Sequence, residues 1–204
     1  MSNKDSGDDD TSGRLRDVRL HVLSSNHYIL RRADFAFRHS DGQWRQARRE
    51  SYDVGDAAAV LPWDRARGRV LLIRQFRWPV HEAGHHHLLI EAVAGKLDGE
   101  NPDATIRREA LEEAGVVLGE LSLVTRCFVS PGAVKERTSM FLADYDSTAP
   151  RRAGGGLAEE GEDIEVLEMM LDAALAMIAS GDIIDAKTIL LLQAAKLRTY
   201  SPPG

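Results

Sequence analysis

The stretch from Ala94 to Val116 limits what this chain can be more tightly than any other. It reads as a loop followed by a helix. Asn101 offers a side-chain acceptor to the unpaired N–H groups of a helix start, and Pro102 suits the first helical position, where its missing N–H would find no partner. Gly115 suits a left-handed stop, so a helix is predicted over 102–114. At about 100° per residue, Ile106, Ala110, Leu111 and Ala114 share an apolar arc while Glu109, Glu112 and Glu113 share another. Spaced i, i+3 and i, i+4, these three carboxylates repel one another. The residues alone admit two readings. One is a solvated acidic face, although such a face normally interleaves lysines; the other is coordination of a divalent cation, for which an all-oxygen set suits magnesium or manganese.

The 204 residues suffice for one domain of ordinary size with a small extension, and for a substantial core. Lys plus Arg number 26 against 32 Asp plus Glu, so a net charge of −6 argues against nonspecific binding of nucleic acid or an anionic membrane. Cys127 is the sole cysteine, which excludes an intrachain disulfide and suggests a reducing compartment. No apolar run opens the chain and none reaches the length of a membrane span, so a cytoplasmic protein is expected. Residues 1–13 are small, polar and acidic and are expected to be a disordered tail, with a second short tail at 200–204.

Alternation of apolar residues predicts two strands between Arg16 and Phe37, a turn at His39–Gly42, and a third strand over 44–52. Two apolar strands follow at 57–63 and 70–76, joined by Asp64–Gly68. The second runs into Arg74-Gln-Phe-Arg77, where an arginine fork matches phosphate oxygens; its alternative is a surface ion pair. A further strand is predicted over 88–93, and His81, His85, His86 and His87 flank it. Neighbouring strand residues point to opposite faces and no cysteine lies nearby, so these histidines are not expected to form a zinc site. Strands are predicted at 121–129 and 138–145, with Cys127 packing inside the first. The Gly-rich acidic loop Ala153–Gly161 lacks the Gly-Lys-Ser/Thr of a P-loop and leads into a strand at 164–167. Helices over 171–179 and 185–197 close the chain, the second capped by Asp185.

The loop and helix, with Gly95, Glu100, Arg108, Glu109, Glu112, Glu113, Gly115 and Val116 in register, resemble the signature of the Nudix hydrolases, although Gly95 and Glu100 are separated by four residues where the pattern has five. Arg74-Gln-Phe-Arg77, Ser130-Pro131-Gly132 with Glu136-Arg137, and Asp185-Ala-Lys187-Thr188 resemble the branch that splits GDP-mannose and ADP-ribose. The resemblance implies an α/β/α sandwich with a mixed central sheet over 55–199, preceded by an antiparallel dimerisation sheet over 14–54. It implies Mg2+, or Mn2+, held by Glu109, Glu112, Glu113 and the carbonyl of Ala94, with Arg108 orienting the carboxylates and ion-paired to Glu100. Glu162, or else Glu160, would activate the attacking water. Candidate substrate contacts are Tyr28, Arg48, Arg49, Arg77, Glu91, Pro131 and Lys187. For Tyr28 the alternative is a half-buried strand aromatic, for Arg48 and Arg49 an exposed edge, for Pro131 a plain turn, and for Lys187 a solvated helix lysine. The implied reaction is hydrolysis of GDP-mannose to GMP and mannose 1-phosphate by a homodimer. Cleavage of ADP-ribose to AMP and ribose 5-phosphate, or a nonhydrolytic sensor of nucleotide sugars, are the alternatives.

Overall fold

Alternating apolar residues build one sheet and unbroken apolar runs the centre of another, and each belongs to its own compact unit. The computed structural model describes residues 11–157, 159 and 161–199, so most of the expected N-terminal tail, the segment 200–204 and Glu160 lie outside the described residues. One unit runs to Val54 and takes in Ser130–Glu136, while the other comprises Gly55–Val129 and the chain from Arg137 onward.

In the first unit β1 (Leu15–Ser25), β2 (Ile29–Arg38) and β3 (Trp44–Asp53) form an antiparallel meander. Gly42, at φ +79°, closes the turn between the second and third strands. Along the outer strand Val18, Leu20 and Val22 are all exposed.

In the second unit β4 (Ala57–Asp64) and β5 (Arg69–Gln75) are an antiparallel pair, and the connection that follows holds a short helix, α1 (Trp78–Glu82). The single strand predicted over 88–93 is two: β6 (Leu89–Glu91) pairs with β5, and β7 (Val93–Lys96) pairs with β4. The break falls at Ala92, whose N–H leaves the sheet ladder and donates to Thr188 Oγ1 at 2.7 Å. Next come α2 (Pro102–Ala114), β8 (Leu121–Phe128) and the two-residue β9 (Val134–Lys135). The last of these belongs to the first unit and pairs parallel with β3. Then β10 (Arg137–Asp144), β11 (Glu165–Met170), α3 (Leu171–Ser180) and α4 (Ala186–Thr199) complete the chain.

The sheet of the second unit runs β11-β5-β4-β10-β8 and is mixed, since β10 lies parallel to β4 and the other neighbours are antiparallel. Period-2 alternation splits its side chains between two cores. Ala58, Val60, Leu71 and Ile73 pack with Ile106, Ala110 and Ala114 of α2. Ala59, Leu61, Leu72 and Met140 pack on the opposite face with Ala174 of α3 and Leu191, Leu192 and Ala195 of α4. This is the α/β/α sandwich with a mixed sheet that the resemblance implies. Cys127 packs against the second of these cores, as expected for a small apolar side chain.

Candidate active site

The predicted helix ends are both present. Asn101 Oδ1 accepts the N–H of Asp103 at 2.8 Å, and Gly115 stops α2 at φ 69°. The apolar arc of α2 goes to the sheet, and this draws Glu113 inward to 2% exposure, with Glu109 one turn before it. A Cβ on Gly95 of β7 would collide with the Glu109 carboxylate, so only glycine lets the strand backbone approach that group.

The electrostatics of this pair are strained. Glu113 Oε2 is buried and takes no hydrogen bond. Burial, followed by the charges of Glu109 and Glu162, pushes the Glu113 carboxyl up to about 9, against the opposing pull of Arg77 and the Ala94 backbone. Burial likewise pushes Glu109 up to about 7, opposed by Arg108 and reinforced by Glu112 and Glu162. Two carboxyls that resist ionisation together, one with an orphaned oxygen, fit a bound divalent cation.

Arg108 holds the rim of this cluster. Its guanidinium lies 2.9 Å from Glu109 Oε1 and 2.8 Å from Glu112 Oε2, whereas the Glu100 partner expected from the resemblance is more distant at 3.6 Å. Partial burial works against its charge, but Glu109, Glu112 and Glu100 outweigh that and raise its pKa. Among the described residues no three carboxylates or imidazoles are gathered as a closed ligand set. Arg108 occupies one oxygen each of Glu109 and Glu112.

The Gly-rich loop is anchored on the C-terminal end of α2. Gly155 and Gly156 donate their N–H groups to the carbonyls of Glu113 and Glu112 at 2.8 and 3.1 Å, pairing two of the orphan acceptors of a helix end. Glu162 folds back within the same loop, where its Oε2 accepts the Leu157 N–H at 2.9 Å. From there its charge acts on both Glu109 and Glu113.

A second cluster of charges joins β6 to α4. Arg77 Nε donates to Glu91 Oε2 at 2.8 Å, and Lys187 Nζ lies 3.8 Å from Glu91 Oε1 and 2.7 Å from Asp185 Oδ1. Glu91 is buried, Asp185 is mostly covered and Arg77 is exposed, so the Arg77–Glu91 pair joins an accessible guanidinium to a sequestered carboxylate and is not a plain surface ion pair. Desolvation opposes ionisation of Asp185, but Lys187 and Thr188 hold its carboxyl below the usual carboxylate range. Sequence reasoning named Asp185 as a helix cap and as part of a branch motif with Thr188, and gave neither residue a place in the site. The Asp185–Lys187 contact is local, but that of Thr188 with Ala92 is visible only once α4 meets the sheet.

Arg77, Glu91, Ala94, Arg108, Glu109, Glu112, Glu113, Glu162 and Lys187 all belong to the second unit, while Tyr28, Arg48, Arg49 and Pro131 belong to the first. There Tyr28 stands edge-on to Tyr52 with ring centroids 5.3 Å apart, and Arg49 donates to the Arg48 carbonyl. Arg48, Arg32 and His21 converge on Asp34 at 2.7, 3.0 and 3.1 Å in a cavity of about 590 Å³. His81, on α1, and His86, on the connection that follows, approach to 3.4 Å between their Nδ1 atoms, and neither lies in a strand.

Comparison with known proteins fits this geometry. Residues 54–192 match the NUDIX domain, and residues 14–52 match the GDP-mannose pyrophosphatase NudK N-terminal domain. A GDP-mannose pyrophosphatase of Pectobacterium atrosepticum is 42% identical over 92% of this chain and 96% of its own. One from Cronobacter sakazakii is 43% identical over 89% of this chain and 94% of its own. In fold, the chain resembles the crystal structure of an ADP compounds hydrolase, with a TM-score of 0.67 and 18% identity across 90% of this chain and 95% of that one. The carboxylate helix, the glycine that admits it and these matches lead to one conclusion: the chain belongs to the Nudix hydrolase family.

Proposed function

We propose that this protein hydrolyses the pyrophosphate bond of a nucleoside diphosphate sugar, GDP-mannose before others, releasing GMP and mannose 1-phosphate. The observation that carries the reaction class is the Glu109–Glu113 pair beneath Gly95, with its unpartnered Glu113 oxygen. The names of the 42–43% identical relatives support the choice of substrate. Nudix hydrolases use divalent metal ions, and magnesium is the ion proposed here, with manganese as its substitute. Glu109, Glu112, Glu113 and the Ala94 carbonyl would hold it, and a bound divalent cation supplies charge that offsets the build-up on phosphoryl oxygens.

The chain's own groups perform the remaining work. Arg108 sets the aim of Glu109 and Glu112. Glu162, on the loop anchored to α2, accepts the proton of the attacking water; Glu160, outside the described residues, is the alternate acceptor. Arg77 and Lys187 bind anionic oxygens of the substrate, oriented by Glu91. Tyr28, Arg48, Arg49 and Pro131 are assigned to further substrate contacts, the first three across a homodimer. Gly154, Gly155 and Gly156 all adopt positive φ, a backbone course that other residues resist. Among the described residues no helix is long and apolar enough to cross a membrane, and a cytoplasmic setting suits the single thiol.

The test is magnesium-dependent hydrolysis of GDP-mannose and ADP-ribose side by side with product identification. An excess of GMP and mannose 1-phosphate is expected, and an excess of AMP and ribose 5-phosphate would overturn the substrate choice. Glu113→Gln should cut turnover by at least roughly 100-fold while leaving the circular dichroism spectrum native. Unchanged turnover would remove Glu113 from the site.

A further inference from the structure

The charges of Arg77, Glu91, Lys187 and Asp185 alternate in sign along one chain of contacts: 2.8 Å from Arg77 to Glu91, 3.8 Å from Glu91 to Lys187 and 2.7 Å from Lys187 to Asp185. Glu91 is buried and Asp185 is mostly covered, while each cation keeps an accessible part. Lys187 is much closer to Asp185 than to Glu91. Glu91 is thereby left to Arg77, and neither cation has to share its partner closely. Asp185 also binds the start of α4, where its Oδ2 accepts the Thr188 N–H at 2.9 Å and the Thr188 hydroxyl at 2.7 Å. The same hydroxyl oxygen accepts the Ala92 N–H at 2.7 Å. One carboxylate therefore fixes a cation on its first oxygen and, through Thr188, the strand break at Ala92 between Glu91 and Val93 on its second.

We propose that Asp185 is a positioning residue for substrate binding, setting the aim of Lys187 and keeping Glu91 available to Arg77. This rests on the reading above in which Arg77 and Lys187 bind the anionic oxygens of a nucleoside diphosphate sugar. Removing the charge of Asp185 releases Lys187 toward Glu91, where it competes with Arg77, and both substrate cations lose their aim. A plain helix cap would behave differently, since its loss reduces the folded, active fraction. That lowers apparent kcat and leaves KM where it was.

The experiment measures kcat and KM for GDP-mannose with magnesium in the unmutated protein, Asp185→Asn, Lys187→Met and the double variant, with the melting temperature of each. Asparagine retains one acceptor oxygen for the Thr188 N–H and turns the oxygen that faces Lys187 into an NH2 donor, so it removes the charge and the Lys187 acceptor together; Asp185→Ser retains a smaller acceptor and replaces it if asparagine does not fold. The expected result is a KM about tenfold higher in each single variant, kcat within about twofold, and a double variant no worse than the worse single, because residues that act through one another are not additive. An unchanged KM in Asp185→Asn beside a raised KM in Lys187→Met overturns the inference alone, as do effects that multiply in the double variant. An unchanged KM in Lys187→Met, or no turnover by the unmutated protein, overturns the underlying functional reading and this inference with it.

Discussion

Glu113 and Glu109 bind their protons more tightly in the folded chain than in the unfolded one, where a glutamate titrates near 4.5. A raised folded pKa stabilises the fold fully below the unfolded value and loses that contribution as pH rises through the folded value. For these two groups the loss therefore runs from about 4.5 upward through about 7 and about 9. Asp64 and Asp185 carry the opposite sign, with carboxyls held below the ordinary 3.8, so their contribution disappears only as pH falls through the acid range and the two windows stay apart. With the protein in a chelator, the melting temperature should fall between about pH 6 and about pH 8.5. Magnesium should flatten the slope, because a cation prefers both carboxylates ionised and stabilises the state that binds it. Glu113→Gln should flatten it without magnesium, since the glutamine carries no proton to lose. Calorimetry across this range checks all three, and an equal slope in every sample would show that the buried pair does not titrate there.

At the scale of elements, α2 has separable ends. Its N-terminus is held by Asn101 and its C-terminus by the Gly-rich loop that carries Glu162. Asn101→Ala removes a cap, and an expected loss of about 1 kcal/mol by denaturant titration should come with unchanged kcat. Gly156→Ala acts at the other end. A Cβ there meets the Glu162 carboxylate at a φ of +79°, a conformation that alanine resists. Turnover should fall about tenfold or more, as for a displaced proton acceptor, while the melting temperature moves by only a few degrees. A kcat equal to that of the unmutated protein would separate Glu162 from the proton transfer. The contrast between the two ends also marks what the sequence made legible. The helix over 102–114 was readable to the residue because Asn101, Pro102 and Gly115 act within one turn of themselves. The strands at 57–63 and 70–76 were readable as apolar runs, but not which of their residues face α2, because both sides of the sheet are buried and the runs show no alternation. The split of 88–93 at Ala92 was not readable, because the group that takes its N–H, Thr188, lies 96 positions away. Nor was the preference of Arg108 for Glu109 and Glu112 over Glu100: spacing permits all three, and only side-chain packing ranks them. The pairing of β9 with β3 is nonlocal in the same way, and two residues carry no periodicity at all.

At the scale of the whole molecule, the proposed homodimer concerns the sheet of the first unit. Its order is β1-β2-β3-β9, so among the described residues β1 is an outer strand with one edge unpaired in the sheet. Proteins usually guard such an edge with charge, proline or a bulge. Here the pairing is irregular towards both ends of the strand, between Arg16 and Arg19 and between Val22 and Ser24, yet between those points Leu20 and Val22 stay 68% and 62% exposed, with Val18 at 53%. Apolar residues left open in this way along a strand suit burial against another copy. Leu20→Lys with Val22→Lys puts like charges on that strand in both copies, so association should weaken without disturbing the cores, to which neither residue belongs. Sedimentation equilibrium should give the unmutated protein twice the chain mass and the double variant the mass of one chain, with the same far-ultraviolet spectrum. Kinetics extend the argument. If Tyr28, Arg48 and Arg49 serve the site of the other copy, the dissociated variant must also show a raised KM for GDP-mannose, and the KM of the unmutated protein must rise on dilution below its dimer dissociation constant. A dimer that survives both lysines would move the interface away from β1. A monomer with unchanged KM would confine substrate binding to the second unit and leave Arg48 to its ion pair with Asp34.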